Sequence, residues 1–257
     1  MRRRKLIQLA QGGLLGTLTA GLAIAPALSQ DRTKAAPNTG PLTLQWFGHM
    51  SFLISGGGLR LLTHPFRPSG CTAGLPAPKA DVDYVMISSR LLDEGYLENL
   101  PNKTKVFAEP GSYDFKGVNL QGIRMDHDRV GGRRFGRNVA WRWQQAGIRL
   151  LHLGSAAAPI LPDQRILMGR PDVLILPVGG GDKGYSAAEA QAVVTELSPK
   201  IVVPTYYRTA TSSKTCTLAP VDEFLALFPN VKVNRGGSTL EVSADSLPSS
   251  LSIRVFG

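Results

Sequence analysis

Val82-Asp83-Tyr84-Val85-Met86-Ile87-Ser88 runs directly into Ser89-Arg90-Leu91-Leu92-Asp93-Glu94. The first string is short and nearly all apolar, as a strand buried on both faces must be. The second brings hydroxyl, guanidinium and carboxylate groups to that strand's end, where α/β proteins place their chemistry. The same pairing of apolar run and polar end recurs on both sides. Upstream lie Trp46-Phe47-Gly48-His49-Met50-Ser51-Phe52-Leu53-Ile54 and Leu61-Leu62-Thr63-His64-Pro65-Phe66. Downstream come Asp126-His127-Asp128, His152-Leu153-Gly154-Ser155, Leu176-Pro177-Val178-Gly179-Gly180-Gly181 and Val203-Pro204-Thr205-Tyr206-Tyr207. All four histidines of the chain fall inside these segments.

From Leu42 the chain alternates strands with tight turns. Residues 42–47 and 51–54 are strand-like, and Gly56-Gly57-Gly58 turns the chain into 59–63 as a hairpin. Residues 65–80 carry four prolines and two glycines and read as a long structured loop, of the kind that is usually functional. Strands follow at 105–108, 118–123, 139–143 and 148–152, with Trp141 and Trp143 on one face. The second half adds buried strands at 173–176 and 201–203. Ser186 with Glu189 forms a capping box, and Ala190, Val194 and Leu197 follow at helical spacing. A further helix opens at Pro220 and stops at Pro229.

In order and spacing these segments resemble the metallo-β-lactamase superfamily, in its branch of zinc-dependent hydrolases of the ascorbate-6-phosphate lactonase type. The resemblance covers about residues 42–229. It implies an α/β fold, a four-layer αββα sandwich with its site at the loops along one sheet edge. It also implies a dizinc centre built on His-x-His-x-Asp-His and later ligands, with one position left for water. Residue by residue, this chain departs from that set. Ser89 and Leu91 stand where the two His of the first zinc site belong, and leucine cannot ligate. Asp93 keeps the family carboxylate, Glu94 replaces the adjacent His, and His127 stays in register. Ser155 replaces the bridging Asp, Tyr206 the last ligand His. His49 matches a family histidine in a Gly-His turn, and His64 sits where the family has an Asp. An ordinary dizinc centre is not expected.

Three chemistries remain open to these positions. Asp93, Glu94, His127 and His64 are candidate ligands of a regrouped site for one zinc or other divalent ion; no other cofactor is expected. Ser89, Ser155, Tyr206 and His49, with His127 as base, Asp93 as orienting carboxylate and Arg90 for an anionic group, are the candidates for metal-free catalysis. The plainer alternative is a hydrogen-bonded plug filling the vacated metal space. The Gly179-Gly180-Gly181 run either cradles an anion or simply turns the chain.

Residues 1–29 are read as a signal peptide. Arg2-Arg3-Arg4-Lys5 precedes an apolar stretch, Ala27-Leu28-Ser29 offers a cleavage site before Gln30, and Arg3-Arg4 makes the segment twin-arginine-like. A retained membrane anchor is the alternative, disfavoured by Gly12, Gly13, Gly16, Gly21 and Pro26. Residues 30–41 read as a linker and 42–257 as one domain. Export to a periplasm or thylakoid-like lumen is the expected localisation, with no membrane attachment after cleavage. Formal charge is +10, and loss of the four basic residues of the signal leaves +6 without a long basic run, which disfavours nucleic acid. Cys71 and Cys216 lie in loops that the expected fold sends to one end of the sheets, so a disulfide between them is one reading and two free thiols the other. A small molecule is the expected partner, and oligomeric state is left open. The leading functional reading is a binding protein or altered hydrolase. An active mononuclear-metal hydrolase of an ester, lactone or phosphoester is one alternative, and a non-catalytic structural or interaction protein the other.

Overall fold

Two glycines start the fold. Leu42–Gly48 (β1), Ser51–Gly56 (β2) and Leu59–Thr63 (β3) run antiparallel. The two-residue turn between β2 and β3 needs positive φ at both positions, which Gly57 (60°) and Gly58 (75°) supply. Tyr84–Met86 (β4) and Lys105–Phe107 (β5) add in parallel beside β3. The computed structural model describes residues 40–82, 84–101 and 103–257. The segment read above as a signal peptide and residues 30–39 of the expected linker lie outside them. Among the described residues no helix is long and apolar enough to cross a membrane.

A second sheet begins with four antiparallel strands, Gly111–Phe115 (β6), Val118–Asp126 (β7), Arg137–Gln145 (β8) and Ile148–His152 (β9). It turns parallel at Val173–Pro177 (β10) and Ile201–Thr205 (β11). Lys232–Arg235 (β12) lies on its edge, Thr239–Val242 (β13) leaves to pair with β1, and Ser252–Val255 (β14) returns between β12 and β11. The six-stranded order is β13-β1-β2-β3-β4-β5, and the eight-stranded order β12-β14-β11-β10-β9-β8-β7-β6.

Alternation along β10 shows how the layers are made. Val173 and Ile175 point into the core between the sheets with Phe52, Leu61, Trp141 and Trp143. Leu174 and Leu176 point the other way, into a core shared with Ala190, Val194, Leu197 and Phe224. Those last four belong to Ala187–Leu197 (α2) and Val221–Leu225 (α3), which with Pro162–Met168 (α1) are the α-helices of the described residues. The capping box at Ser186 and Glu189 is formed, as its spacing predicts. The expected α/β sandwich is thus present, and the helices of the described residues pack on the second sheet. Over the outer face of the first sheet, Leu53, Leu62, Val85 and Ile87 are covered by Val82, Leu97 and Leu100, which stand in irregular chain rather than in a helix.

The loop of residues 65–80 contains a single 3-10 turn, Gly70–Thr72. Cys71 within it is bonded to Cys216, with Cα atoms 4.7 Å apart, so of the two cysteine readings the disulfide is the one found.

Candidate functional site

Every segment singled out in the sequence ends a strand at the same rim. Three of these ends are bent into the left-handed region by residues with side chains, His49 (φ 53°), His64 (45°) and Tyr206 (54°). A bulky residue there is strained, and such strain gathers at functional sites. Glycines let the segments close on one another. A Cβ on Gly154 would stand 2.3 Å from Ser88 Oγ, and one on Gly179 would stand 2.1 Å from the Tyr206 carbonyl oxygen. Gly180 and Gly181 have φ of 71° and 75°. The glycine run is therefore a close-packed turn under Tyr206.

The heart of the rim is a buried polar cluster. Glu94, His127 and Ser155 are all fully buried. The Glu94 carboxylate accepts from the Ser89 hydroxyl, from the Ser155 hydroxyl at 2.9 Å and from the Ser155 backbone N–H at 3.1 Å. Because Ser155 donates its one proton to Glu94, it accepts from His127 Nε2–H at 2.5 Å. His127 Nε2 also lies 3.3 Å from Glu94 Oε1. Its Nδ1 is buried without a hydrogen bond. Burial lowers the His127 pKa, and the Glu94 charge opposes that shift.

Connectivity decides what this cluster can do. In a nucleophilic relay the carboxylate orients one ring nitrogen while the other takes the serine proton. Here carboxylate and serine meet the same ring nitrogen, and the serine proton is committed to the carboxylate. Ser155 is also beyond the reach of solvent. The geometry is that of a mutually hydrogen-bonded buried cluster, and the carboxylate in it is Glu94, not Asp93.

Asp93 is held elsewhere. Its carboxylate forms an ion pair with the Lys183 ammonium, and both groups are partly buried, at 27% and 15% exposure. Burial raises the Asp93 pKa, but the charge and hydrogen bond of Lys183 outweigh it and the net shift is downward. The same ammonium lies 5.8 Å from the centroids of both Phe135 and Tyr206, within cation–π range. Arg129 anchors the loop that delivers Lys183 by donating to the carbonyls of Gly181 and Gly184 while pairing with Glu189. Phe135 is set by Asp128, whose carboxylate accepts four backbone N–H groups, from Val130, Gly132, Arg134 and Phe135. Lys183 was absent from the sequence candidates. A charged residue between Gly181 and Gly184 is the only signal it leaves.

Beneath the rim lies a neutral histidine layer. His64 Nε2 bonds Ser88 Oγ at 2.6 Å, and its ring is 4.0 Å from that of His152. His152 is satisfied on both nitrogens, by the Met50 carbonyl and the Gly154 N–H. His49 stacks at 4.7 Å on Tyr206, and its Nε2 is buried without a partner. Burial pulls His49 down to about 4 and His152 to about 3, and His64 is also pushed well below its ordinary value. Burial likewise pushes the Tyr206 phenol upward. A cavity of about 230 Å³ opens beside these groups, walled by His49, Asp93, Tyr206, Leu92 and the Cys71 loop. Arg90 lies outside this wall, on a second cavity shared with Ser89.

Residues 43–206 match the family model described as the beta-lactamase superfamily domain, and the chain belongs to that family. Among solved structures it is similar to a candidate zinc-dependent hydrolase of the metallo-β-lactamase superfamily from Thermotoga maritima. The identity there is 27% and the TM-score 0.67, over 84% of this chain and 98% of that one. A metallo-hydrolase of the archaeon Ignicoccus hospitalis shares the fold at 17% identity and TM-score 0.59, over 79% of this chain and 99% of that one. An isothiocyanate hydrolase from Delia radicum gut bacteria shares it at 13% identity and TM-score 0.59, over 79% and 99%. No curated protein matches the chain.

This family usually binds zinc or another divalent ion, and the donors of this chain do not fit one. Zinc needs several N, O or S ligands converging at about 2 Å. Leu91 offers none, Glu94 is engaged with Ser89 and Ser155, and Asp93 is engaged with Lys183. His64 turns to Ser88 and His127 to Ser155, so the regrouped set of His64, His127 and Asp93 is not assembled. Among the described residues, no three His, Cys, Asp or Glu side chains form a group that could hold a metal ion.

Proposed function

We propose that this superfamily member works without a dizinc centre, as a small-molecule binding protein. The observation that carries the reading is the Lys183–Asp93 pair: a tethered ammonium neutralises the carboxylate that the family gives to metal. The Glu94–Ser155–His127 plug supports it by filling neighbouring space with mutually satisfied groups. The cavity over His49, Asp93 and Tyr206 favours ligand binding over a purely structural role, because it sets polar groups against apolar wall, as ligand sites do.

Zinc stoichiometry after dialysis tests the proposal. Less than one equivalent is expected in the native chain, and two tightly held ions would overturn it. In urea unfolding, Lys183→Met should lose roughly 2 kcal/mol of stability, because the charge-assisted bond to Asp93 disappears and a largely buried carboxylate loses its counter-ion. An unchanged urea midpoint for that variant would remove Lys183 from the argument.

The mature protein is further proposed to be exported, cleaved after Ser29 and kept in an oxidising compartment. The basic and apolar leader supports this, as does the disulfide, since such bonds persist outside the reducing cytosol. N-terminal sequencing of the mature pool should begin at Gln30, and a retained Met1 would reject the cleavage.

A further inference from the structure

A second cavity, of about 330 Å³, is lined by other residues than the binding site proposed above. Its size is at the lower end of that of small-molecule sites. Ser88 and Ser89 line it from the end of β4, and Phe135 contributes an aromatic ring. Two guanidinium groups, Arg90 and Arg137, line it as well.

What sets Arg90 and Arg137 apart is that they share one concavity. Arg129, Arg134, Arg149, Arg165 and Arg235 each have a carboxylate within 4 Å, at Glu189, Asp182, Asp172, Glu196 and Asp222. Neither Arg90 nor Arg137 has an ion-pair or hydrogen-bonding partner among the described residues. One carboxylate, Glu109, shares the cavity wall, so two positive charges face one negative. Unpaired guanidinium groups in one concavity suit a planar or tetrahedral oxyanion, which each can grip through two N–H donors.

Phe135 supplies the other half of the recognition. It is fixed by the Asp128 cradle, which takes its backbone N–H at 2.9 Å, so its ring stands on a held turn. The Lys183 and Arg134 side chains lie over the same ring, with Lys183 Nζ 5.8 Å and Arg134 Cζ 5.2 Å from its centroid, and both are already paired, with Asp93 and Asp182, so they hold the ring without adding net charge.

We infer that the cavity between Arg90, Arg137 and Phe135 binds a small organic oxyanion, a carboxylate or phosphate ester whose apolar part lies against Phe135. This goes beyond the binding-protein reading by adding a second site with its own ligand class. It rests on that reading in one respect: the anion is held by arginines, with no metal between.

Titration calorimetry of the full chain with phenyl phosphate, and with inorganic phosphate as the probe lacking a ring, tests it. Zinc content is measured on the same samples. Saturable one-to-one binding of phenyl phosphate is expected, tighter than inorganic phosphate. Arg90→Gln and Arg137→Gln should each weaken it about tenfold or more, the range expected for losing a charge-assisted hydrogen bond. Both positions are exposed, and an unchanged melting temperature would show that the variants stay folded. Equal affinity in the native chain and the double variant overturns the inference, as does no saturable binding. Arginine-dependent binding that also requires bound zinc would uphold the arginines and defeat the metal-free reading instead.

Discussion

Acidification from pH 7 to pH 4 is expected to remove on the order of 6 kcal/mol of stability through two histidines alone. His49 and His152 are buried and neutral, with pKa values pulled by burial to about 4 and about 3. In the unfolded chain both return to about 6.5. Below that value the unfolded state binds more protons than the folded one, so stability is complete above pH 6.5 and falls as pH drops toward the folded values. His64 is shifted the same way and adds to the loss. The total is comparable with the whole stability of an ordinary domain, so acid unfolding should be cooperative and lie above pH 4. Urea midpoints measured at half-unit steps from pH 7 to pH 4 would show it. A midpoint flat across that range would mean that the histidines are not held neutral in this layer.

Reduction of the Cys71–Cys216 bond should be almost as costly. The bond closes a span of 145 residues, for which chain-entropy arguments give about 5 kcal/mol. In a domain of this size that corresponds to a melting temperature lower by roughly 10–20 °C. The effect should also be felt at the site. Cys216 packs with Met50, Tyr206 and Leu218, and Cys71 walls the smaller cavity. Melting curves with and without a thiol reductant, repeated on the Cys71→Ala/Cys216→Ala chain, measure the effect. Equal melting temperatures in all three would show that the crosslink adds nothing to the folded state.

The two effects act on different parts of one arrangement. The disulfide ties the loop of residues 65–80 to the segment after Tyr206, while the histidine layer supports the same rim from below. Both hold the segments of the rim together. A chain that had exchanged its ligands without such supports would leave several buried polar atoms with neither metal nor partner. Some still are: His49 Nε2, His64 Nδ1 and His127 Nδ1 have no hydrogen bond.

Much of the framework was legible in the sequence, because it rests on local rules. The hairpin at Gly57 and Gly58 follows from turn geometry, the buried strand at 173–177 from a continuous apolar run, and the start of α2 from its capping box. The rim segments could be picked out because strand ends and polar clusters coincide in the chain. The weaker elements could not. β6, β12 and β13 are short and carry exposed residues, β14 spans only four residues, and all four are strands only because a neighbour offers hydrogen bonds. Helix α1 keeps Ile166 78% exposed, so hydrophobic periodicity does not announce it.

At the site, the order of residues alone says which side chains are present: Leu91 cannot ligate, and Ser155 brings no charge. Tertiary structure alone decided their partners. Lys183 meets Asp93 across 90 positions of sequence, and Ser155 meets Glu94 across 61. Such pairings depend on how two sheets bring their loops to one edge, which no local pattern encodes. For the same reason the carboxylate of the buried cluster is Glu94 and not Asp93: the two are adjacent in sequence, but their side chains are committed to different partners.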